Sequence, residues 1–386
     1  MALLTAATFT GASSIHYQTP MLGAMAREFG AGASAIGWVP TLTFGGFLFG
    51  IVFLVPLGDR IDKRRLILVQ YFINIALLLA AAAAPGLAAL AAVSFAIGVC
   101  ACYAQSIVPL VAELAPDRGR GRAVGTILTA LFLGILFARI TGGLVATYLG
   151  WRWMYVIAAL MFVALAPALL ARLPHSRPHT SLPYRRLLGS VLLLIATHAD
   201  MRRVVGIQLL LGVCYGGFWA TIATMLLTVH GLGPTVAGLI GIPGAAGILI
   251  ARPAGRWLDS RGPGPIVAGG IALIIAAYGV FAFGLWWPAA LAAGAALLDC
   301  GLRATMVANQ TVVNSLAPDA RSRSNTVFGL AVWSGNAAGA FIASSALAHS
   351  GWLAVCAISA ASAAGALAVQ VFVSRRRGAA ALPPSR

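Results

Sequence analysis

Acidic residues are scarce in this chain: 9 Asp and Glu stand against 26 Lys and Arg in 386 residues, and charged residues together make up only 9%. A soluble domain carries about 25%, so the composition excludes a solvated globular fold. Lysine is scarcer still, since Lys63 is the only one and it follows Asp62. A phosphate-cradling loop needs Gly-Lys-Ser/Thr, so ATP hydrolysis by that route is excluded. Cys100, Cys102, Cys214, Cys300 and Cys356 all fall in apolar stretches and lack metal-ligand spacing. Carboxylates clustered for a metal-dependent intramembrane transferase are also missing. The chain therefore reads as a protein that is not an enzyme, with no metal and no cofactor.

What is present is apolar. Hydrophobic residues make up 60% of the chain, and at roughly 20 residues per crossing the length suits twelve spans. Their expected positions are 3–26, 36–57, 66–84, 88–112, 123–148, 152–171, 204–229, 235–254, 265–286, 289–314, 324–347 and 353–373. The first stretch has no basic residue before Arg27, so it lacks the charged lead of a secretory signal and is kept as a span. With the N-terminus in the cytoplasm, every Lys and Arg except Arg27, Arg139, Arg152 and Arg303 falls in or beside an inside loop or the tail. Positive residues gather inside, which accounts for the net charge of +17 without a nucleic-acid partner. The expected setting is a membrane, with both termini cytoplasmic and anionic lipids of the inner leaflet as partners.

Three landmarks repeat at offsets of roughly 200 residues. Leu114-Ala115-Pro116-Asp117 returns as Leu316-Ala317-Pro318-Asp319, Gly150-Trp151 as Gly351-Trp352, and the turn around Asp59 as the turn around Asp259. Such duplication in an apolar chain points to two halves that move against each other. The expectation is an all-α membrane protein of twelve transmembrane helices in two parallel, pseudo-symmetric six-helix halves, 1–172 and 204–386. The connector 173–203 begins polar, then runs from Tyr184-Arg185-Arg186 into an apolar stretch too short to cross, which suits a helix lying along the inner surface or a plain linker.

At the first of these turns stands Val55-Pro56-Leu57-Gly58-Asp59-Arg60-Ile61-Asp62-Lys63-Arg64. It resembles the signature of the major facilitator superfamily, Gly-x-x-x-Asp-(Arg/Lys)-x-Gly-(Arg/Lys)-(Arg/Lys): Asp59, Arg60, Lys63 and Arg64 match, while Val55 and Asp62 replace the glycines. The second copy, Gly255 to Gly262, keeps both glycines and Asp259 but has lost the basic residue after it; Arg261 follows. The resemblance implies that these turns gate the transport cycle. In the fifth span Gly134, Gly142 and Gly143 match the Gly-x-x-x-Gly-Pro-x-x-Gly-Gly pattern of drug:proton antiporters, with Ala138-Arg139 in place of Gly-Pro. The chain resembles bacterial antiporter-like efflux permeases of that superfamily.

The family resemblance implies a central cavity lined by the first, fourth, seventh and tenth spans. At 100° per residue, Asp299, Arg303, Gln310 and Asn314 fall within about 60° of one another on the tenth. Gln208, Gly212, Tyr215 and Trp219 form a similar face on the seventh, with Phe218 beside them; Cys102, Ser106, Pro109 and Glu113 do so on the fourth. On the first, Phe9, Ser13, His16 and Tyr17 are the contributors. A carboxylate at mid-span is costly unless paired or hydrated, and Asp299 has Arg303 one turn away. Asp299 either carries a proton, tuned by Arg303 or Arg139 and with His16 as a second candidate, or forms a permanent pair that leaves a guanidinium for a substrate anion. The expected activity is secondary active transport of a small organic solute by a monomer, as proton-coupled efflux. Uptake by symport or uniport on the same fold, and service as the membrane subunit of a pump with a separate ATPase, are the alternatives.

Overall fold

The computed structural model describes residues 1–58, 60–114, 120–176, 184–316 and 321–380. Among them the secondary structure is helical throughout. In order the helices are α1 (Ala2–Ser14), α2 (Gln18–Glu28), α3 (Ala33–Ile36), α4 (Trp38–Leu57), α5 (Lys63–Ala82), α6 (Leu87–Ala101), α7 (Tyr103–Leu114), α8 (Arg120–Tyr148) and α9 (Trp151–Arg172). The connector helix α10 (Tyr184–Thr197) follows. Then come α11 (Ala199–His230), α12 (Pro234–Leu239), α13 (Gly241–Gly244), α14 (Ala246–Arg261), α15 (Pro263–Ala282), α16 (Pro288–Leu316) and α17 (Arg321–Ala380).

Nine continuous helical stretches among the described residues are long and apolar enough to cross a membrane. The last of these, Ser324–Phe372, is two spans that meet at Gly351, where φ is 76°. That backbone region is costly for any side chain with a Cβ. The first and eighth spans are broken into shorter helices, which brings the crossings to the expected twelve. Both breaks have a proline behind them. Pro20 blocks the hydrogen bond to the carbonyl four residues back, at His16, and α1 gives way to α2 across Ile15 to Tyr17; Pro243 does the same to Leu239, where α12 ends.

The chain packs into two compact units. One comprises Met1–Leu188 with Trp219–Ile242, the other Gly189–Phe218 with Pro243–Arg386. In the first, α4 and α6 pack backbone against backbone, because a Cβ at Gly46 would run into the Phe95 carbonyl. Tyr71 stacks on Phe162 with centroids 4.6 Å apart and donates its hydroxyl to the Phe162 carbonyl. In the second, Met201, Val204, Val313, Val327 and Phe328 form a buried cluster that also takes in Leu194 of α10. The outer surface carries exposed Phe49, Val69, Ile73, Leu133, Leu160 and Phe372, which in a membrane face acyl chains rather than water. Exposed Trp38, Tyr148, Trp153, Trp286 and Trp287 lie at or beside the turns remote from the basic loops, as interfacial aromatics do.

The duplication persists in the contacts. Arg64 donates to the Leu170 carbonyl at 2.5 Å, and at the matching positions Gln370 donates to the Gly264 carbonyl at 3.4 Å. The same pair of helix ends is tied in both halves, with the donor on opposite sides.

Candidate functional site

At the end of the first unit remote from the basic loops, glycines draw α8 and α12 together. A Cβ at Gly143 would meet the Pro234 carbonyl, and one at Gly238 would meet the Arg139 carbonyl. Arg139 takes the place of the proline in the antiporter pattern, so α8 runs through it unbroken. Its guanidinium carbon lies 3.3 Å from the centre of the Trp219 ring, and its methylenes lie against Gly241. Arg139 is 3% exposed and Trp219 2%. A desolvated cation over an indole face is held by about 2 kcal/mol or more.

The other expected residues of this unit are interior. His16 bonds the Ala12 carbonyl through Nδ1 at 2.9 Å, the bond that a ring one turn along a helix makes locally. Tyr17 and Ser106 are buried, and Cys102 accepts from Gln70 Nε2 at 3.1 Å.

In the second unit Asp299 and Arg303 sit one turn apart on α16, with Oδ1 3.7 Å from a guanidinium nitrogen and Asp299 3% exposed. This is ion-pair range but beyond hydrogen-bond range. Gly247 of α14 lets the two helices approach here: a Cβ would fall 2.7 Å from the Asp299 carbonyl oxygen and 2.8 Å from Arg303 Cγ. Toward the basic-loop end of α16, Gln310 is exposed and donates to Asn325 Oδ1 at 3.2 Å, and Asn314 is half-buried. Gln208 and Tyr215 are buried in α11. Phe218 stacks on Phe281 at 4.1 Å, and Phe281 in turn meets Trp352 edge-on.

The signature turn holds a denser network than the sequence suggested. Asp59 lies outside the described residues, and Arg60 is exposed. Lys63 is 2% exposed and pairs with Glu113 at 2.8 Å. Asp62, standing where the family pattern has glycine, caps α5: its Oδ1 accepts from the Arg64 N–H and the Ser176 N–H, both at 3.0 Å, and its Oδ2 lies 2.5 Å from His175 Nδ1. Burial pushes the Asp62 carboxyl up, but the bonds from Ser176, His175 and Arg64 outweigh it and hold the group below the ordinary carboxylate range. Arg64 closes the ring by bonding His175 Nε2 at 2.9 Å. Asp62, His175 and Ser176 were missed as functional candidates, although an Asp directly before Lys-Arg-Arg-Leu is a helix-start signal. In the second copy, the backbone of Asp259 belongs to α14 and the side chain lies outside the described residues; Arg261 is exposed in the last turn, before Gly262 at φ 74°.

No group of His, Cys, Asp and Glu among the described residues could hold a metal ion. Apolar crossings in both units, a buried mid-span ion pair and a charged turn in each unit are the features of a multi-pass membrane transporter. The chain belongs to the Major Facilitator Superfamily, whose sequence profile matches residues 1–302. It is similar to the transporter YgaY of Escherichia coli O157:H7, 34% identical over 92% of this chain and 90% of that one. It is also similar to the multidrug resistance protein B homolog of Mycobacterium tuberculosis strain H37Rv, 26% identical over 78% of this chain and 67% of the relative. The fold matches the crystal structure of the nucleoside transporter NupG with a TM-score of 0.77 at 14% identity, covering 96% of this chain and 98% of the other.

Proposed function

We propose that this carrier exports a small organic solute across a bacterial inner membrane in exchange for protons, with both termini in the cytoplasm. Alternating access comes from rocking of the halves 1–172 and 204–386, gated by the turns at Asp59 and Asp259. Asp299 carries the proton, and Arg303 sets its affinity. The solute meets Tyr215, Gln310, Asn314 and the polar ends of the other cavity-facing residues, and Arg303 favours a negative or polar group on it. The observation that supports this reading most is the burial of Asp299 at mid-span one turn from Arg303, with Oδ1 3.7 Å from a guanidinium nitrogen, since an ionisable group at that depth marks a proton or substrate pathway. The name of the mycobacterial relative adds support for export of drug-like compounds.

The test is a solute screen with the purified chain in proteoliposomes under an imposed pH gradient. Solute flux coupled to proton movement, abolished by Asp299→Asn, is the expected result. Coupled flux that persists in that variant makes the ion pair a permanent element of the cavity wall. Flux in the opposite direction replaces export with uptake, and flux that needs an added ATPase replaces the self-contained carrier with a pump subunit.

A further inference from the structure

We infer that the start of α5 and the end of α9 form a binding site for the phosphate of an anionic phospholipid. Asp62, Arg64, Arg65, Leu68, Val69 and His175 line a cleft of about 310 Å³. That is the low end of the roughly 300–1,000 Å³ of small-molecule sites, room for a headgroup but not for a whole lipid. One side of the cleft is cationic. The other continues along α5 into Val69, Phe72 and Ile73, which are exposed on the surface that faces acyl chains. A ligand that fits both sides has an anionic head and a hydrocarbon tail.

The carboxylate in the cleft offsets only one of its two guanidinium charges. Asp62 is already engaged by the Arg64 and Ser176 N–H groups and by His175. Among the described residues no carboxylate pairs with Arg64 or Arg65. Lys63, the neighbouring cation, turns inward to Glu113 instead. Arg64 is also fixed before any ligand arrives, by its bonds to His175 Nε2 and the Leu170 carbonyl. Such preorganisation separates a site from a freely moving surface charge, because little side-chain entropy remains to be lost on binding. Arg65 is exposed and supplies the second donor group.

The site rests on the chain's membrane setting and not on the direction or coupling of transport, so its test uses no transport readout. Native mass spectrometry of the purified chain counts lipids retained after incubation with equal amounts of dioleoylphosphatidylglycerol and dioleoylphosphatidylcholine. One phosphatidylglycerol is expected to be held in preference. Arg65→Gln, which breaks no hydrogen bond or ion pair among the described residues, should weaken that retention about tenfold or more, as should Arg64→Gln, while Arg256→Gln at an exposed position outside the cleft should leave it unchanged. Equal retention of phosphatidylcholine, or undiminished phosphatidylglycerol in Arg65→Gln, overturns the site. Displacement of the lipid by millimolar inorganic phosphate overturns the lipid assignment and makes this a site for free anions.

Discussion

The Arg139 guanidinium lies face-on over the Trp219 ring, 3.3 Å from its centre, with both side chains excluded from solvent. Arg139→Gln leaves the indole in place but removes the cation; Trp219→Leu leaves the cation over an aliphatic side chain. Each is expected to lower stability by about 2 kcal/mol or more, and the double variant by less than the sum, because the interaction can be lost only once. Arg139→Lys should keep part of it. Thermal unfolding of the four proteins in one detergent gives the coupling, and strictly additive shifts would remove the cation–π account.

The same end of the first unit depends on glycine. Since a Cβ at Gly238 would strike the Arg139 carbonyl, and one at Gly143 the Pro234 carbonyl, Gly238→Val and Gly143→Val must push α12 off α8. Each should cost about 1–3 kcal/mol and raise the labelling of a cysteine introduced at Thr235, whose hydroxyl bonds Thr147 at 2.8 Å in the packed arrangement. Unchanged labelling would mean that the helices tolerate the added side chains without separating.

Much of the fold could be read from composition and repetition, because in a bilayer each span must be long, apolar and hydrogen-bonded within itself. The Gly-Trp landmark shows how far this goes. Gly150 and Gly351 take positive φ, at 95° and 76°, and each opens a helix that starts with the tryptophan. Trp151 then donates to Glu28 and Trp352 to the Phe281 carbonyl. The repeat marked a real structural role, while the differing acceptors were invisible in it. Helical angles group Asp299, Arg303, Gln310 and Asn314 on the tenth span; of these Asp299 is buried, while Gln310 and Asn314 retain exposure and Asn309, one residue along, is fully buried. Periodicity could not say that Phe218 would stack on Phe281 or that Arg139 would rest on Trp219, since both depend on which distant residue arrives opposite. The helix breaks were missed for another reason: Pro20 and Pro243 were counted inside spans by hydropathy, which ignores the missing N–H.

Lys63 and Glu113 are unequal partners, because the ammonium is buried and the carboxylate is partly open to solvent. Glu113→Gln therefore strands a buried charge and should cost about 3–5 kcal/mol, whereas Lys63→Met leaves a carboxylate that water can reach and should cost less. In the double variant Lys63→Met with Glu113→Gln most of the loss should be recovered, as no buried ion remains. Unfolding midpoints of the three proteins decide it; a double variant as unstable as Glu113→Gln alone would show that packing rather than charge governs the site.

Asp62 makes the turn sensitive to acid. Its carboxyl titrates below its ordinary value in the folded chain, so the folded state binds fewer protons than the unfolded one as the pH falls through that region. The stabilisation is fully present above the unfolded carboxylate value of about 4 and is lost as the pH drops through the folded value. Asp62→Asn removes the charged acceptor while keeping a side-chain oxygen able to cap α5. The variant should therefore be less stable than the parent at pH 6, with the gap closing below about pH 4. Melting curves from pH 3 to 7 check this, and a gap that stays constant across that range would show that the bonds from His175, Ser176 and Arg64 owe nothing to the ionised form.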